Sequence, residues 1–272
     1  MTITLTAPDG TELVAEVTGA GSPVVFVHGS NGGLNSWADV GRRLTGHQVV
    51  RYARRNHPPS GTGPSPNGFS AEADDLHSVL GFVTEAAGQR AHVVGGSYGA
   101  TVALHAAKAS TDHIASATLF EPPLLLSGEH LLPVLDDYRQ LCAAQRFDDA
   151  LDVFAREVAR VPAEVLAVSG SAPVDPERGR VGAITARADL EAMASDGTDV
   201  DRWTSIDVPV LLMQGGQSWP PLPEGMDRLA AAIPHARRVI WSDQSHFATA
   251  AAPERVAEAL QQFIDTVTRH EP

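Results

Sequence analysis

The stretch "VVGGSYGATVALHAA", residues 93–107, decides how this chain is read. A short apolar run ends in Gly95-Gly96, and Ser97-Tyr98-Gly99 leads into a segment with helical spacing. Ala100, Ala103, Leu104 and Ala107 fall at i, i+3, i+4 and i+7, one face of a helix. Gly95-Gly96-Ser97-Tyr98-Gly99 fits G-x-S-x-G, a pattern that gains meaning only between a buried strand and a helix. A turn this tight strains the serine backbone and tolerates only small neighbours, which Gly95 and Gly99 provide. The Ser97 hydroxyl would then project from the C-terminal edge of a sheet. The helix N-terminus beneath it carries a partial positive charge suited to a developing oxyanion.

Outward from this turn, the chain repeats the same grammar. "PVVFVHG" (23–29) is a continuous apolar run, as expected of a strand covered on both faces. Similar runs follow at 47–53, 91–96, 114–120, 208–214 and 236–241. Between them, Leu76, Val79, Leu80 and Val83 share one helical face, as do Val256, Leu260, Phe263, Ile264 and Val267 behind Pro253. "ITLTAPDGTELVAEV" alternates about Pro8-Asp9-Gly10 and reads as a β-hairpin. Buried strands alternating with amphipathic helices specify an α/β fold with a mostly parallel, doubly wound sheet. The gap from Phe120 to Val208 is too long for one crossover. Its helical spacing (Leu131, Leu135, Tyr138, Leu141; then Leu151, Phe154, Val158) and a second helical stretch after "SGSAPVDPERG" predict an inserted helical cap. The expected division is 1–121 and 206–272 for the core, with 122–205 as the cap.

The 272 residues suit one such domain with an insertion, and 43% apolar residues supply a sizeable core. A net charge of −13 argues against nucleic acid and anionic membranes as partners. Cys142 is the only cysteine, so no internal disulfide forms and a reducing, cytoplasmic setting is expected. The first residues show no signal peptide, and no apolar run is long enough to span a bilayer. One lysine, Lys108, against nineteen arginines suggests a bacterium with GC-rich codons.

A serine hydroxyl needs a base. Of eleven histidines, His246 is the one that falls in the loop between the last strand-like run and the terminal helix. That is its place in the Ser…acid…His order. His105 and His235 read as structural. Two backbone amides are needed for an oxyanion hole. Tyr98 offers one, and the loop after His28-Gly29 offers the other, from Ser30 or alternatively Asn31. His28 reads as a hydrogen-bond donor that fixes this loop.

With "FVHGS", "GGSYGA" and "DQSHFATAAAPERV" in this order and spacing, the chain resembles the α/β-hydrolase superfamily over nearly its whole length outside the cap. It departs from that pattern at two places. Ala53-Arg54-Arg55-Asn56 stands where many relatives read Asp-Arg-Arg-Gly, and the loop 215–218 lacks the usual acid. The resemblance also suggests a replacement, because some α/β-hydrolases carry the acid after the preceding strand. Neighbouring parallel strands end at the same edge, and "IASATLFEPP" ends its apolar run with Glu121. Glu224 and Asp243 are the competing carboxylates.

The expected function is therefore a serine hydrolase of an ester, lactone or thioester, with Ser97, His246 and Glu121 as triad and Ser30 and Tyr98 as oxyanion donors. Leu124, Leu125 and Leu126 near the cap hinge, with Trp37 and Trp219, are the candidate substrate-binding residues. Together they favour a hydrophobic acyl or polyketide-like small molecule. No metal or organic cofactor is implied, because no His/Cys cluster or dinucleotide fingerprint occurs. A cofactor-free isomerase, cyclase or oxygenase on the same scaffold, or a ligand receptor with a vestigial triad, are the alternatives.

Overall fold

The computed structural model describes residues 1–169 and 175–270. Eight strands form one sheet: β1 (Thr2–Thr6), β2 (Glu12–Gly19), β3 (Ser22–Val27), β4 (His47–Tyr52), β5 (Ala91–Gly96), β6 (Ile114–Phe120), β7 (Val210–Gly215) and β8 (Arg237–Trp241). Their order is β1-β2-β4-β3-β5-β6-β7-β8. β1 pairs antiparallel with β2, and β2 with β4; the remaining pairings are parallel. The fold is the mostly parallel, doubly wound sheet expected of an α/β-hydrolase core. The expected hairpin is β1–β2, with Leu5 opposite Leu13.

The helices are α1 (Ala38–Gly41), α2 (Phe69–Ala87), α3 (Tyr98–Ala109), α4 (Leu132–Ala143), α5 (Phe147–Val153), α6 (Ala163–Ser169), α7 (Pro176–Ser195), α8 (Leu222–Ala232), α9 (Ala248–Ala251) and α10 (Pro253–His270). Alternation along the strands sorts the core into two layers. Val24 and Phe26 of β3 pack with Val40, Leu260 and Ile264, whereas Val25 and Val27 pack with Leu76, Leu80 and Leu104. Each such side chain, fully buried, contributes about 1.5–3 kcal/mol of transfer free energy. The strand order reverses across β4-β3-β5, and crevices for ligands open at the C-terminal ends of strands at such a switch point.

α4 to α7 all lie between β6 and β7, where the long gap predicts inserted helices. Two features differ from the sequence reading. The "SGSAPVDPERG" break is shorter than expected, because α7 starts within it. Asp175 accepts the Glu177 amide at 3.0 Å, and Pro176 sits at the first helical position, where its missing N–H removes no helical bond. The rest of the break, 170–174, lies outside the described residues. Second, the helix carrying Leu151 and Phe154 changes pitch. Residues Phe154–Val158 form a π-turn, closed by the Ala159 amide donating to Phe154 O at 2.9 Å.

Candidate active site

Ser97 stands between β5 and α3 with φ 52° and ψ −124°, a left-handed conformation that costs an L-residue energy. Its amide donates to Phe120 O at 2.7 Å, which ties the turn to the end of β6. The flanking glycines are sterically required. A Cβ on Gly95 would lie 2.4 Å from Gly99 O, and one on Gly99 would lie 2.4 Å from Val27 O.

His246 lies in the loop between β8 and α9. Its Nε2 is 3.1 Å from Ser97 Oγ, and its Nδ1 is 2.6 Å from Glu121 Oε2. Glu121 directly follows β6, is fully buried, and has φ 43°. Its other oxygen, Oε1, accepts the Gly215 amide at 2.9 Å and the Ser218 hydroxyl at 2.7 Å. So the loop 215–218 supplies donors to a carboxylate on the neighbouring strand. The competing acids are elsewhere: Asp243 is exposed and paired with Arg255, and Glu224 is exposed on α8.

The Tyr98 amide opens α3, and among the described residues neither it nor the Ser30 amide donates to a protein acceptor. Ser30, Asn31, Ser97 and His246 border one cavity of about 190 Å³. Its apolar walls come from the inserted helices, two adjacent loops and the start of α8: Leu126, Phe154, Val158, Met193, Trp219 and Leu222.

This geometry joins a strained serine, a histidine and a buried carboxylate in one hydrogen-bonded chain at the open edge of the sheet. A family profile for the alpha/beta hydrolase fold matches residues 22–251. The chain belongs to the α/β-hydrolase family. It is similar to a solved alpha/beta hydrolase from Sphaerobacter thermophilus, at 31% identity, with 96% of this chain and 100% of that one covered and a TM-score of 0.81. An esterase from Thermogutta terrifontis, 22% identical with a TM-score of 0.77, shares the fold over 98% of this chain and 99% of its own. Among curated proteins, a non-heme haloperoxidase of Rhodococcus erythropolis is 26% identical over 96% of this chain and 99% of that protein.

In this α/β-hydrolase, two of the five expected substrate contacts, Leu126 and Trp219, line the cavity. The Trp219 ring lies 5.5 Å from His246, and its Nε1 donates to Ala159 O at 2.9 Å, which fastens the β7 loop to the π-turn. The other three require correction. Trp37 does not frame the mouth: it is buried under the elbow, where a Cβ on Gly96 would meet its ring at 2.7 Å. It sits there because its Nε1 donates to Val27 O at 3.1 Å. Leu124 is buried in the core, and Leu125 turns toward Gly225 of α8. The tight turn Pro122–Leu126 sends three successive leucines in different directions, so only the third reaches the cavity. Phe154 and Val158 carried a helical signal in the sequence, but nothing marked them as cavity lining; Met193, Leu222 and Phe247 carried no signal for the site.

The Ala53-Arg54-Arg55-Asn56 stretch departs from the superfamily pattern at its first and last residues, and its two central arginines hold ion pairs. Arg54 and Arg55 are both buried. Arg55 pairs with Asp75 at 2.6 Å. Arg54 pairs with Glu72 of α2 at 2.7 Å and with Asp189 of α7 at 3.0 Å. Burial alone would lower the Arg54 pKa, but the two carboxylates outweigh it and hold the group well above its ordinary value. His28, enclosed beside it, is pushed well below its usual pKa, first by burial and then by the Arg54 charge. Among the described residues, no helix is long and apolar enough to cross a membrane.

Proposed function

We propose that this protein is a serine hydrolase that cleaves an ester, lactone or thioester with a small apolar acyl group. The observation that carries this reading is His246, which bridges Ser97 and Glu121 at 3.1 and 2.6 Å at the wall of an apolar cavity. In this reading Ser97 Oγ attacks the carbonyl carbon and His246 Nε2 takes its proton. Glu121 fixes the imidazole tautomer and stabilises the imidazolium. The Ser30 and Tyr98 amides hold the oxyanion. His246 returns the proton to the leaving oxygen or sulfur, then takes one from the water that releases the acyl group.

The cavity sets the scale of the substrate. A volume near 190 Å³ compares with the roughly 150 Å³ that accommodates benzene in an engineered apolar cavity. This favours a short-chain or single-ring acyl group over the polyketide-like substrate that the cap leucines suggest in sequence. Fluorophosphonate labelling tests the nucleophile. Stoichiometric modification of Ser97, absent in Ser97→Ala, supports the reading; an unlabelled wild-type protein overturns it. A panel of acyl esters and lactones then ranks acyl size.

The relative called a non-heme haloperoxidase favours a second reading, in which the same Ser97–His246 pair serves a non-hydrolytic reaction. Halide oxidation without ester turnover in a peroxide assay would select it.

A further inference from the structure

Ser30 reaches the cavity on a loop that is held from behind. The Gly29 carbonyl belongs to the same peptide unit as the Ser30 N–H, and in a trans peptide the two point in opposite directions. Whatever holds Gly29 O therefore aims the Ser30 amide. His28 Nδ1 lies 2.9 Å from Gly29 O. The Arg54 amide donates to His28 Nε2 at 3.0 Å, so Nε2 is the acceptor and Nδ1 carries the proton given to Gly29 O. The Arg54 side chain continues the clamp: Nε donates to His28 O at 3.0 Å, and Nη2 approaches Gly29 O at 3.4 Å.

The same guanidinium reaches the other amide donor. It lies 4.2 Å above the Tyr98 ring. The Tyr98 hydroxyl donates at 2.6 Å to Glu72, which also accepts from Arg54 Nη1 at 2.7 Å and Asn67 at 2.8 Å. Arg54 thus touches the supports of both the Ser30 and the Tyr98 amides. Its orientation is set jointly by His28 O, Glu72, His57 Nε2 at 3.2 Å from Nη2, and Asp189, whose two oxygens accept Nη1 and Nη2, each at 3.0 Å. Asp189 belongs to α7, one of the inserted helices.

We propose that Asp189 is a positioning residue that, through Arg54, couples the seating of the α7 helix to the orientation of the oxyanion-hole amides. This rests on the serine-hydrolase reading for the word oxyanion; the mechanical link rests on the contacts themselves. With α7 docked, the bidentate pair holds the guanidinium flat against Tyr98 and square to the 28–29 backbone. Without the Asp189 pair, Arg54 keeps Glu72 and His28 O but loses its bidentate partner, its Nη2 is no longer aimed at Gly29 O, and the Gly29–Ser30 peptide is held only by His28 Nδ1 and by the Gly32 amide, which donates to Gly29 O at 3.2 Å.

The test compares two variants on one helix. Asp189→Asn keeps the volume and one acceptor oxygen, and it leaves Arg54 charge-paired with Glu72. Glu191→Gln is the control. Glu191 also ties α7 to the core, through the Asn67 amide at 3.2 Å, and to the neighbouring inserted helix α4, through Arg139 at 3.1 Å, but does not touch Arg54. Two readouts are taken on the full-length protein: the Ser30 and Tyr98 amide resonances in the ligand-free state, and the affinity for phenylboronate, which forms a tetrahedral anion on Ser97. Asp189→Asn should move both resonances and weaken boronate about tenfold or more, since loss of one oxyanion donor costs about two to three orders in rate. In ester hydrolysis it should lower kcat more than it raises KM. Glu191→Gln should lower thermal stability while both readouts stay at wild type. A folded Asp189→Asn protein with unmoved resonances, or with wild-type boronate affinity, overturns the coupling. Wild-type protein that binds no boronate instead overturns the hydrolase reading, and the resonances alone then decide whether Asp189 sets the Ser30 peptide.

Discussion

Ser218 donates its hydroxyl to Glu121 Oε1 at 2.7 Å. The β7 loop, which has no carboxylate of its own, completes the solvation of the carboxylate next door. With Gly215 on the same oxygen and His246 on the other, a fully buried charge has three polar partners. A buried carboxylate without such partners would cost several kcal/mol.

Removing the Glu121 charge should therefore be the more damaging of two changes at this contact. Glu121→Gln should lower kcat by roughly two to four orders of magnitude, as a comparable amide swap does in serine proteases. Ser218→Ala leaves the charge and the Gly215 amide, so it should cost about tenfold or less. Glu224→Gln and Asp243→Asn, both exposed, should stay well within tenfold of wild type. Steady-state kinetics on one ester compare all four. Equal losses at Glu121 and Asp243 would dismiss the relocated acid.

The strained Ser97 backbone should show in stability. Ser97→Gly relieves the φ 52° conformation, whereas Ser97→Ala keeps a Cβ in it. The glycine variant should be the more stable by about 1 kcal/mol, the strain relief less the extra unfolded-state entropy of glycine. Thermal melts of the two variants decide. An alanine variant that melts higher would mean that the turn is unstrained.

Acyl range should follow the π-turn and not the leucine run. Phe154→Leu widens the cavity wall and should raise kcat/KM for pentanoyl relative to acetyl esters several-fold, within the roughly 1–3 kcal/mol that a methylene-scale change in a pocket is worth. Leu124→Ala should leave that ratio unchanged and lower stability by about 2–5 kcal/mol, as buried leucine truncations do. A Leu124 effect on the ratio with no effect on stability would return that residue to the cavity.

Acid should destabilise the fold through its buried histidines. His92, hydrogen-bonded to Ser116 at 2.8 Å, is held at about 4, below the ordinary 6.5, chiefly by burial and then by His47 and Arg90. Its folded-state pKa is depressed, so the unfolded chain takes the proton first. The stabilisation is present above pH 6.5 and is lost as pH falls toward 4. By pH 5 this one group removes about 2 kcal/mol. Burial depresses His28, His47 and His57 in the same direction, while Asp75, raised to about 6 mainly by burial, offsets part of the loss. His92→Gln should flatten the dependence of unfolding free energy on pH between 7 and 5; an unchanged slope would remove His92 from this account.

The sheet, the elbow and the order of Ser97, Glu121 and His246 were legible because each has a local cause. Unbroken apolar runs give buried parallel strands, glycines at fixed offsets give the turn, and parallel strands ending at one edge bring Glu121 beside the β7 loop. Of the apolar cavity walls, only Leu126 and Trp219 were legible. Phe154 and Val158 read as an ordinary amphipathic stripe, because a change from α to π pitch depends on tertiary packing and leaves the apolar spacing intact. The Trp37 error has the same root. A tryptophan after a strand-end loop suits a rim and a core equally, and the choice was made by Val27 O, a backbone acceptor invisible to side-chain pattern. The Arg54 cluster joins Arg54, Glu72 and Asp189, residues separated by as many as 135 positions, so no window of sequence contains it.

The π-turn at Phe154–Val158 also makes chain length a variable of this site. Closing a ring from residue 159 to 154 takes one residue more than an α-turn does, and the following segment leaves the helix at once. Deleting a single residue here would restore ordinary pitch without shifting the register of any later strand. It would also rotate the apolar side chains that face Ser97. Most insertions and deletions in a packed element are disruptive. In this one turn a single deletion would reshape the cavity wall beside Ser97 while the sheet stays unchanged.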